Sequence, residues 1–116
     1  MGNPVVHFEI IAKDQEKAAA FYKAMFNWNI NVIPQVGYGM VDTDANGSGI
    51  SGGIGSGDEG WVTVYVEVPN AQAALDKAVS LGCAVVRPVM SIPGAVTMAV
   101  FSDPEGHAIG LVEGGS

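Results

Sequence analysis

Residues 5–11 read Val5-Val6-His7-Phe8-Glu9-Ile10-Ile11, and residues 62–68 read Val62-Thr63-Val64-Tyr65-Val66-Glu67-Val68. Both stretches alternate branched apolar residues with polar or aromatic ones, which is typical of a β-strand. Asp14 follows the first stretch and Asn70 the second, and each is predicted to cap the N-terminus of an alanine-rich helix. A repeat of about half the chain predicts two copies of one supersecondary unit that pair to bury a core.

The two halves continue in the same order, with glycine and proline signals between the elements. The patterns predict βαβββ twice: module one over residues 4–56 and module two over residues 60–114. The predicted strands are 4–12, 28–34, 37–43 and 48–55, then 61–68, 83–89, 95–102 and 107–113, and the predicted helices are 15–26 and 71–81. The second strand of module two is predicted to end at Pro88. This order predicts the α+β class and a single domain over residues 1–116.

The composition restricts the partners of the chain. Five basic residues against twelve acidic ones give a net charge of −7, so we expect no nucleic-acid partner. No apolar run is long enough to span a bilayer, and the N-terminal residues lack the pattern of a signal peptide, so the sequence predicts a cytoplasmic location. The lone Cys83 fits that compartment. A mean hydropathy of +0.29 predicts an apolar surface covered in a homodimer.

Motifs along nearly the whole chain resemble the vicinal oxygen chelate superfamily, which contains glyoxalases, bleomycin-resistance proteins and extradiol dioxygenases. They are Asp14 to Phe21-Tyr22, the helix end Met25-Phe26-Asn27-Trp28, and the run Phe101-Ser102-Asp103-Pro104-Glu105-Gly106-His107. His7-Phe8-Glu9-Ile10 and Ile109-Gly110-Leu111 are similar to a glyoxalase-like subgroup related to lactoylglutathione lyase. The resemblance implies that the two modules form a cup from a curved mixed sheet, with the helices on the outer face.

The resemblance also implies where a metal would bind. Members of the superfamily that use a metal take His or Glu ligands from the first and last strands of each half. In this chain His7 matches such a position, whereas Thr63, Gly110 and the run Gly52–Gly55 stand at the others. A transition-metal site needs three or four nitrogen, oxygen or sulfur donors, so we expect neither the usual metal nor another cofactor.

Strand alternation places His7 and Glu9 on one face, and Thr63, Tyr65 and Glu67 on one face of the matching strand. A histidine and a carboxylate two residues apart suit proton transfer, and a tyrosine hydroxyl suits a developing oxyanion. We therefore expect His7, Glu9 and Tyr65 to be catalytic residues. The alternative is that His7 and Glu9 only satisfy each other or the backbone.

Further residues are predicted to contact a ligand in the cup because they offer apolar, polar or small side chains there. The glycine-rich stretch of residues 47–55 lacks the features of a phosphate-binding loop and is predicted to be a strand that leaves room for a ligand or a close backbone. The predicted ligand-binding residues are Thr63, Glu67, Trp28, Met40, Gly52, Met98 and Gly110.

Two ligand-binding functions remain open at this point, and a third, a structural homodimer module without a ligand, is disfavoured because a polar pair inside a cup costs stability unless it is used or satisfied. One is an enzyme that moves a proton next to a carbonyl group, as a lyase or isomerase does, without the usual metal. The other is a protein that sequesters an aromatic metabolite or antibiotic, as the resistance members of the superfamily do. In both cases the partner is a small organic molecule.

Overall fold

The computed structural model describes residues 2–33, 37–44, 47–93 and 96–114. The predicted α+β class and the order βαβββ–βαβββ are confirmed. The elements are β1 (Val5–Ala12), α1 (Gln15–Phe26), β2 (Asn29–Ile33), β3 (Tyr38–Asp42), β4 (Ser51–Ser56), β5 (Trp61–Val68), α2 (Ala71–Ser80), β6 (Ala84–Ile92), β7 (Val96–Ser102) and β8 (Ala108–Glu113). Neither helix is long and apolar enough to cross a membrane in the ranges that the structure describes.

The chain divides into two compact units. The first unit is His7–Val62, and the second unit is Met1–Val6 together with Thr63–Ser116. The prediction of a single domain over 1–116, with modules 4–56 and 60–114, stays a prediction.

In the first unit the strand order is β2-β3-β4-β1, with β1 parallel to β4 and the other pairs antiparallel. Helix α1 begins at the predicted cap, because the Asp14 carboxylate accepts a hydrogen bond from the Lys17 N–H at 3.1 Å. It ends at Asn27, whose left-handed backbone (φ 60°) donates its N–H to the Lys23 carbonyl. The helix packs on one side of the sheet, where a buried cluster forms from Ala19, Ile30, Val41 and Ile54, with Phe8, Ile10, Ala18, Tyr22 and Trp28 against it.

The second unit repeats this plan with the strand order β5-β8-β7-β6. Asn70 caps α2 by accepting from the Ala73 N–H at 2.9 Å, and the Glu113 carboxylate accepts from the Ala71 N–H at 2.8 Å. Helix α2 covers a buried cluster of Val68, Leu75, Ala99 and Leu111. In each unit one sheet face therefore carries the helix; we call the opposite one the helix-free face.

Strand β6 corrects one prediction. It continues through Pro88 to Ile92, with irregular pairing to β7 between Val85 and Met90. Proline is tolerated here because β6 is the last strand in the order and its pairing with β7 is already irregular between Arg87 and Met90.

Candidate functional site

The candidate site begins with the alternation of β1. Phe8 and Ile10 pack against the core under α1, which places His7, Glu9 and Ile11 on the helix-free face of the first unit. Parallel pairing sets Glu9 beside Gly53 and Ile11 beside Gly55 of β4. Glu9 is only 4% exposed, so its carboxylate requires hydrogen-bond donors within the protein.

Two neutral side chains provide those donors. The Tyr38 hydroxyl donates to Oε2 of Glu9 at 3.1 Å, and the Trp61 indole Nε1–H donates to Oε1 at 3.1 Å. Nε2 of His7 lies 3.2 Å from the same Tyr38 hydroxyl oxygen. His7 and Glu9 are therefore linked through Tyr38, in a four-residue network on the helix-free face that we call the Glu9 network.

Glycine in β4 makes this network possible. A Cβ atom at Gly53 would overlap the hydroxyl end of Tyr38, and one at Gly55 would lie 3.1 Å from Cδ1 of the same ring. The phenol therefore crosses β4 above these two glycines to reach Glu9. On the other face a Cβ at Gly52 would overlap the Phe8 ring. The Phe8 and Tyr38 rings therefore occupy the space beside these glycines, and a ligand contact at Gly52 stays a prediction.

Burial sets the charge of His7. Desolvation lowers its pKa below the ordinary value, and the negative charge of Glu9 opposes that shift in part. The imidazole is therefore neutral at pH 7. A neutral imidazole has a lone pair on one ring nitrogen and can accept a proton.

The second unit contains the matching residues of the repeat. Thr63 and Tyr65 are buried on its helix-free face, on the strand that also carries Glu67. The Thr63 hydroxyl donates to the carbonyl oxygen of Ala108. Tyr65 pairs with Gly110, where an added Cβ would overlap the tyrosine ring. Both units thus place an aromatic ring over a glycine of the strand parallel to their first strand.

The predicted ligand-binding residues fall on different faces. The strand neighbours Gly39 and Val41 face α1, so Met40 lies with Tyr38 on the helix-free face of the first unit. The Met40 side chain is 42% exposed. Alternation places Met98 and Gly110 on the helix-free face of the second unit, with Thr63 and Glu67. The two on the helix side are Trp28 and Gly52. The centroid of the Trp28 ring lies 5.4 Å from that of Tyr22 and 5.5 Å from that of Phe8.

The side chains do not fit the usual metal site of the superfamily. Gly110 stands at one expected ligand position, and the Tyr65 ring lies over it. Nε2 of His7 faces the Tyr38 hydroxyl. Among the described residues, no three His, Cys, Asp or Glu side chains come together as a group that could hold a metal ion. We therefore derive no step through a metal.

Tyr38 and Trp61 were not predicted as site residues. Their contacts with Glu9 join residues 29 and 52 positions apart, so no local pattern reveals them. One signal was available: a glutamate on the inward side of a strand needs donors, and tyrosine and tryptophan can supply them without charge.

Comparison with known proteins agrees with this fold. Residues 5–44 match the family model described as bleomycin resistance protein-like N-terminal. The chain is 32% identical over 106 residues to the “Putative glyoxylase CFP32” of Mycobacterium bovis and of Mycobacterium tuberculosis, covering 84% of this chain and 41% of each relative. It therefore spans about two-fifths of the length of these curated relatives.

Solved structures share the fold at low identity. Methylmalonyl-CoA epimerase from Mycobacterium tuberculosis aligns with a TM-score of 0.63 and 14% identity, covering 97% of this chain and 88% of that one. A chain described as NAD-dependent benzaldehyde dehydrogenase from Legionella pneumophila aligns with a TM-score of 0.68 and 14% identity, covering 92% and 96%. The predicted resemblance to the superfamily is confirmed.

Proposed function

Because the chain has the vicinal oxygen chelate fold and a bleomycin-resistance-like N-terminal region, we propose that it is a glyoxalase-like protein that binds a small organic carbonyl compound and moves a proton with His7, without the superfamily's metal. The observation that supports this most is the neutral imidazole of His7, which is linked through Tyr38 to the buried carboxylate of Glu9.

The proposed step is removal of a proton from a carbon next to a carbonyl group. A ring nitrogen of His7 takes the proton, the C–H electron pair forms the enolate, and the negative charge moves to the carbonyl oxygen. The resulting imidazolium is stabilised by the Glu9 carboxylate, to which His7 is linked by two hydrogen bonds through the Tyr38 hydroxyl. The oxyanion needs a hydrogen-bond donor, and the assignment of that part to Tyr65 stays a prediction from the sequence. Return of the proton to the enolate completes an isomerisation; in the lyase alternative the enolate instead re-forms the carbonyl and expels a leaving group from the neighbouring carbon.

Solvent exchange tests this step directly. The protein is incubated in deuterium oxide with hydroxyacetone, the glutathione hemithioacetal of methylglyoxal, or methylmalonyl-CoA, and ¹H NMR follows loss of the proton next to the carbonyl. The last two probes are chosen from the names of the relatives. We expect exchange with at least one probe, and a loss of about 10²-fold or more in His7→Gln, which is the usual contribution of a general base. Absence of exchange with all three probes contradicts the proposal.

His107→Gln is the matched control. His107 lies in the turn before β8, with Nδ1 3.1 Å from the Asp103 carboxylate and its side chain 69% exposed. Its removal is expected to leave the exchange rate unchanged. An equal loss in both variants would assign the effect to the fold instead of to His7.

A second candidate function is ligand sequestration without chemistry. Both carboxylate oxygens of Glu9 already accept hydrogen bonds, and Glu9 is almost fully buried, as expected of a group that holds a binding face rigid. The family model over residues 5–44 supports this alternative. Bleomycin is the probe: a saturable rise in the unfolding temperature with bleomycin, together with no exchange of the three carbonyl probes, would favour sequestration.

The homodimer predicted from the sequence is also part of this proposal, whereas the cytoplasmic location stays a prediction. The edge strand β6 supports a dimer, because it leaves Val85, Val86, Met90 and Ile92 between 43% and 47% exposed. Sedimentation equilibrium of the wild type is expected to give twice the monomer mass, and Val86→Lys is expected to lower it. A monomeric wild type at micromolar concentration contradicts the dimer.

A further inference from the structure

The direction of the hydrogen bonds in the Glu9 network defines the protonation of His7 more closely than its pKa does. Trp61 can only donate through Nε1, so Oε1 of Glu9 accepts there. At Oε2 the Glu9 carboxylate again accepts, and the Tyr38 hydroxyl donates its single proton to it. The phenolic oxygen then presents only lone pairs to other neighbours.

His7 is one of those neighbours. Its Nε2 lies 3.2 Å from the Tyr38 oxygen, within hydrogen-bond distance. If Nε2 carried no proton, two lone pairs would face each other across that distance. A proton on Nε2 instead completes a chain in which His7 donates to Tyr38 and Tyr38 donates to Glu9.

We infer that Tyr38 is a positioning residue, which holds His7 as the Nε2–H tautomer and places the proton-accepting lone pair on Nδ1. The inference rests on the proposed function for its chemical meaning, since it names the atom of His7 that would take the substrate proton. Gly53 is part of the same arrangement, because any side chain there would displace the Tyr38 hydroxyl.

The tautomer is measured without any substrate. Protein labelled with ¹⁵N is held at about pH 8.5, above the ordinary histidine pKa of about 6.5, and long-range ¹H–¹⁵N correlation spectra report which ring nitrogen carries the proton. The chain has two histidines, and His107→Gln assigns their signals. We expect the Nε2–H form for His7. His107 provides the contrast, since its Nδ1 faces the Asp103 carboxylate and favours the Nδ1–H form.

Substitution of Glu9 is expected to reverse the direction of the hydrogen bonds between His7, Tyr38 and residue 9. In Glu9→Gln the amide oxygen stays with the Trp61 donor, so the amide NH₂ turns toward Tyr38 and donates to its oxygen. The Tyr38 proton then points to Nε2 of His7, and the ring becomes the Nδ1–H tautomer. A role of Glu9 in packing alone would not produce this exchange of signals, because Glu and Gln have nearly the same shape.

Tyr38→Phe removes the acceptor and keeps the ring over Gly53, so we expect the His7 signals to move to those of a mixture of tautomers. Tyr22→Phe is the matched control, because Tyr22 packs with Phe26 and Trp28 on the helix side. Its spectrum is expected to match the wild type.

A wild-type His7 in the Nδ1–H form overturns the inference, even if a variant fails to fold. So does an unchanged His7 spectrum in Tyr38→Phe. Failure of the proposed function has a different signature: the Nε2–H form is present, yet none of the carbonyl probes exchanges its proton.

Discussion

At the scale of single residues, the central feature is a buried carboxylate held by two neutral donors. Glu9 accepts from the Tyr38 hydroxyl and the Trp61 indole, and each bond lies at 3.1 Å. A buried carboxylate loses several kcal/mol of hydration, which such hydrogen bonds must replace. Removal of one donor is therefore expected to cost more than an ordinary surface change.

We expect Trp61→Phe to lower the free energy of unfolding by about 1.5–3 kcal/mol, the range for a hydrogen bond to a charged group. Urea denaturation measures it. The loss should shrink in a Glu9→Gln background, giving a coupling energy above about 0.5 kcal/mol. The control cycle pairs Tyr22→Phe with Glu9→Gln and is expected to show no coupling, because Tyr22 lies on the opposite face of the sheet. Equal coupling in both cycles would contradict the assigned contact.

The lowered pKa of His7 makes stability depend on pH. The unfolded chain binds a proton at His7 near pH 6.5, whereas the folded chain does so only at lower pH because burial disfavours the charge. The contribution of the neutral His7 side chain to the free energy of unfolding is therefore fully present above about pH 6.5. It is lost as the pH falls through the pKa of His7 in the folded protein. Denaturation curves across this window are expected to show a smaller loss on acidification in His7→Gln than in the wild type. An identical slope in both proteins would show that His7 is not buried.

At the scale of elements, local patterns gave a good account of strands and helices. The caps Asp14 and Asn70 lie where predicted, because capping depends on neighbouring residues alone. The local sequence does not predict that β6 continues through Pro88, because this continuation depends on the position of the strand at the edge. Alternation within β1 predicts that His7 and Glu9 share a face. The contacts of Tyr38 and Trp61 with Glu9 depend on how the strands are arranged in the sheet, which local patterns do not predict.

The glycines under the two tyrosine rings give an element-scale prediction. Gly53→Ala in β4 and Gly110→Ala in β8 each place a methyl group inside a tyrosine ring. We expect each to destabilise the fold by about 1–3 kcal/mol, the usual cost of overpacking. Thermal and urea denaturation measure it. Ser51→Ala in β4 is the control and should change stability by less than about 0.5 kcal/mol, since Ser51 is exposed. Wild-type stability in either glycine variant would contradict the close ring contact.

At the scale of the whole molecule, the two copies of the unit differ in the side chains on their helix-free faces. The first unit carries His7, Glu9, Tyr38 and Trp61 on its helix-free face, and the second carries Thr63 and Tyr65. The repeat explains the fold, because both copies need the same strands, caps and glycine positions. The difference between the copies supports the proposal that His7 transfers the proton without the superfamily's metal.

The most direct test of that account is the exchange rate of the carbonyl probes on metal-stripped protein. The chain is dialysed against a chelator, and deuterium exchange is followed by ¹H NMR before and after addition of Zn²⁺ or Ni²⁺. We predict an unchanged rate in the stripped wild type and a loss of about 10²-fold in His7→Gln, with or without added metal. Loss of exchange on stripping, restored by either ion, would contradict the account.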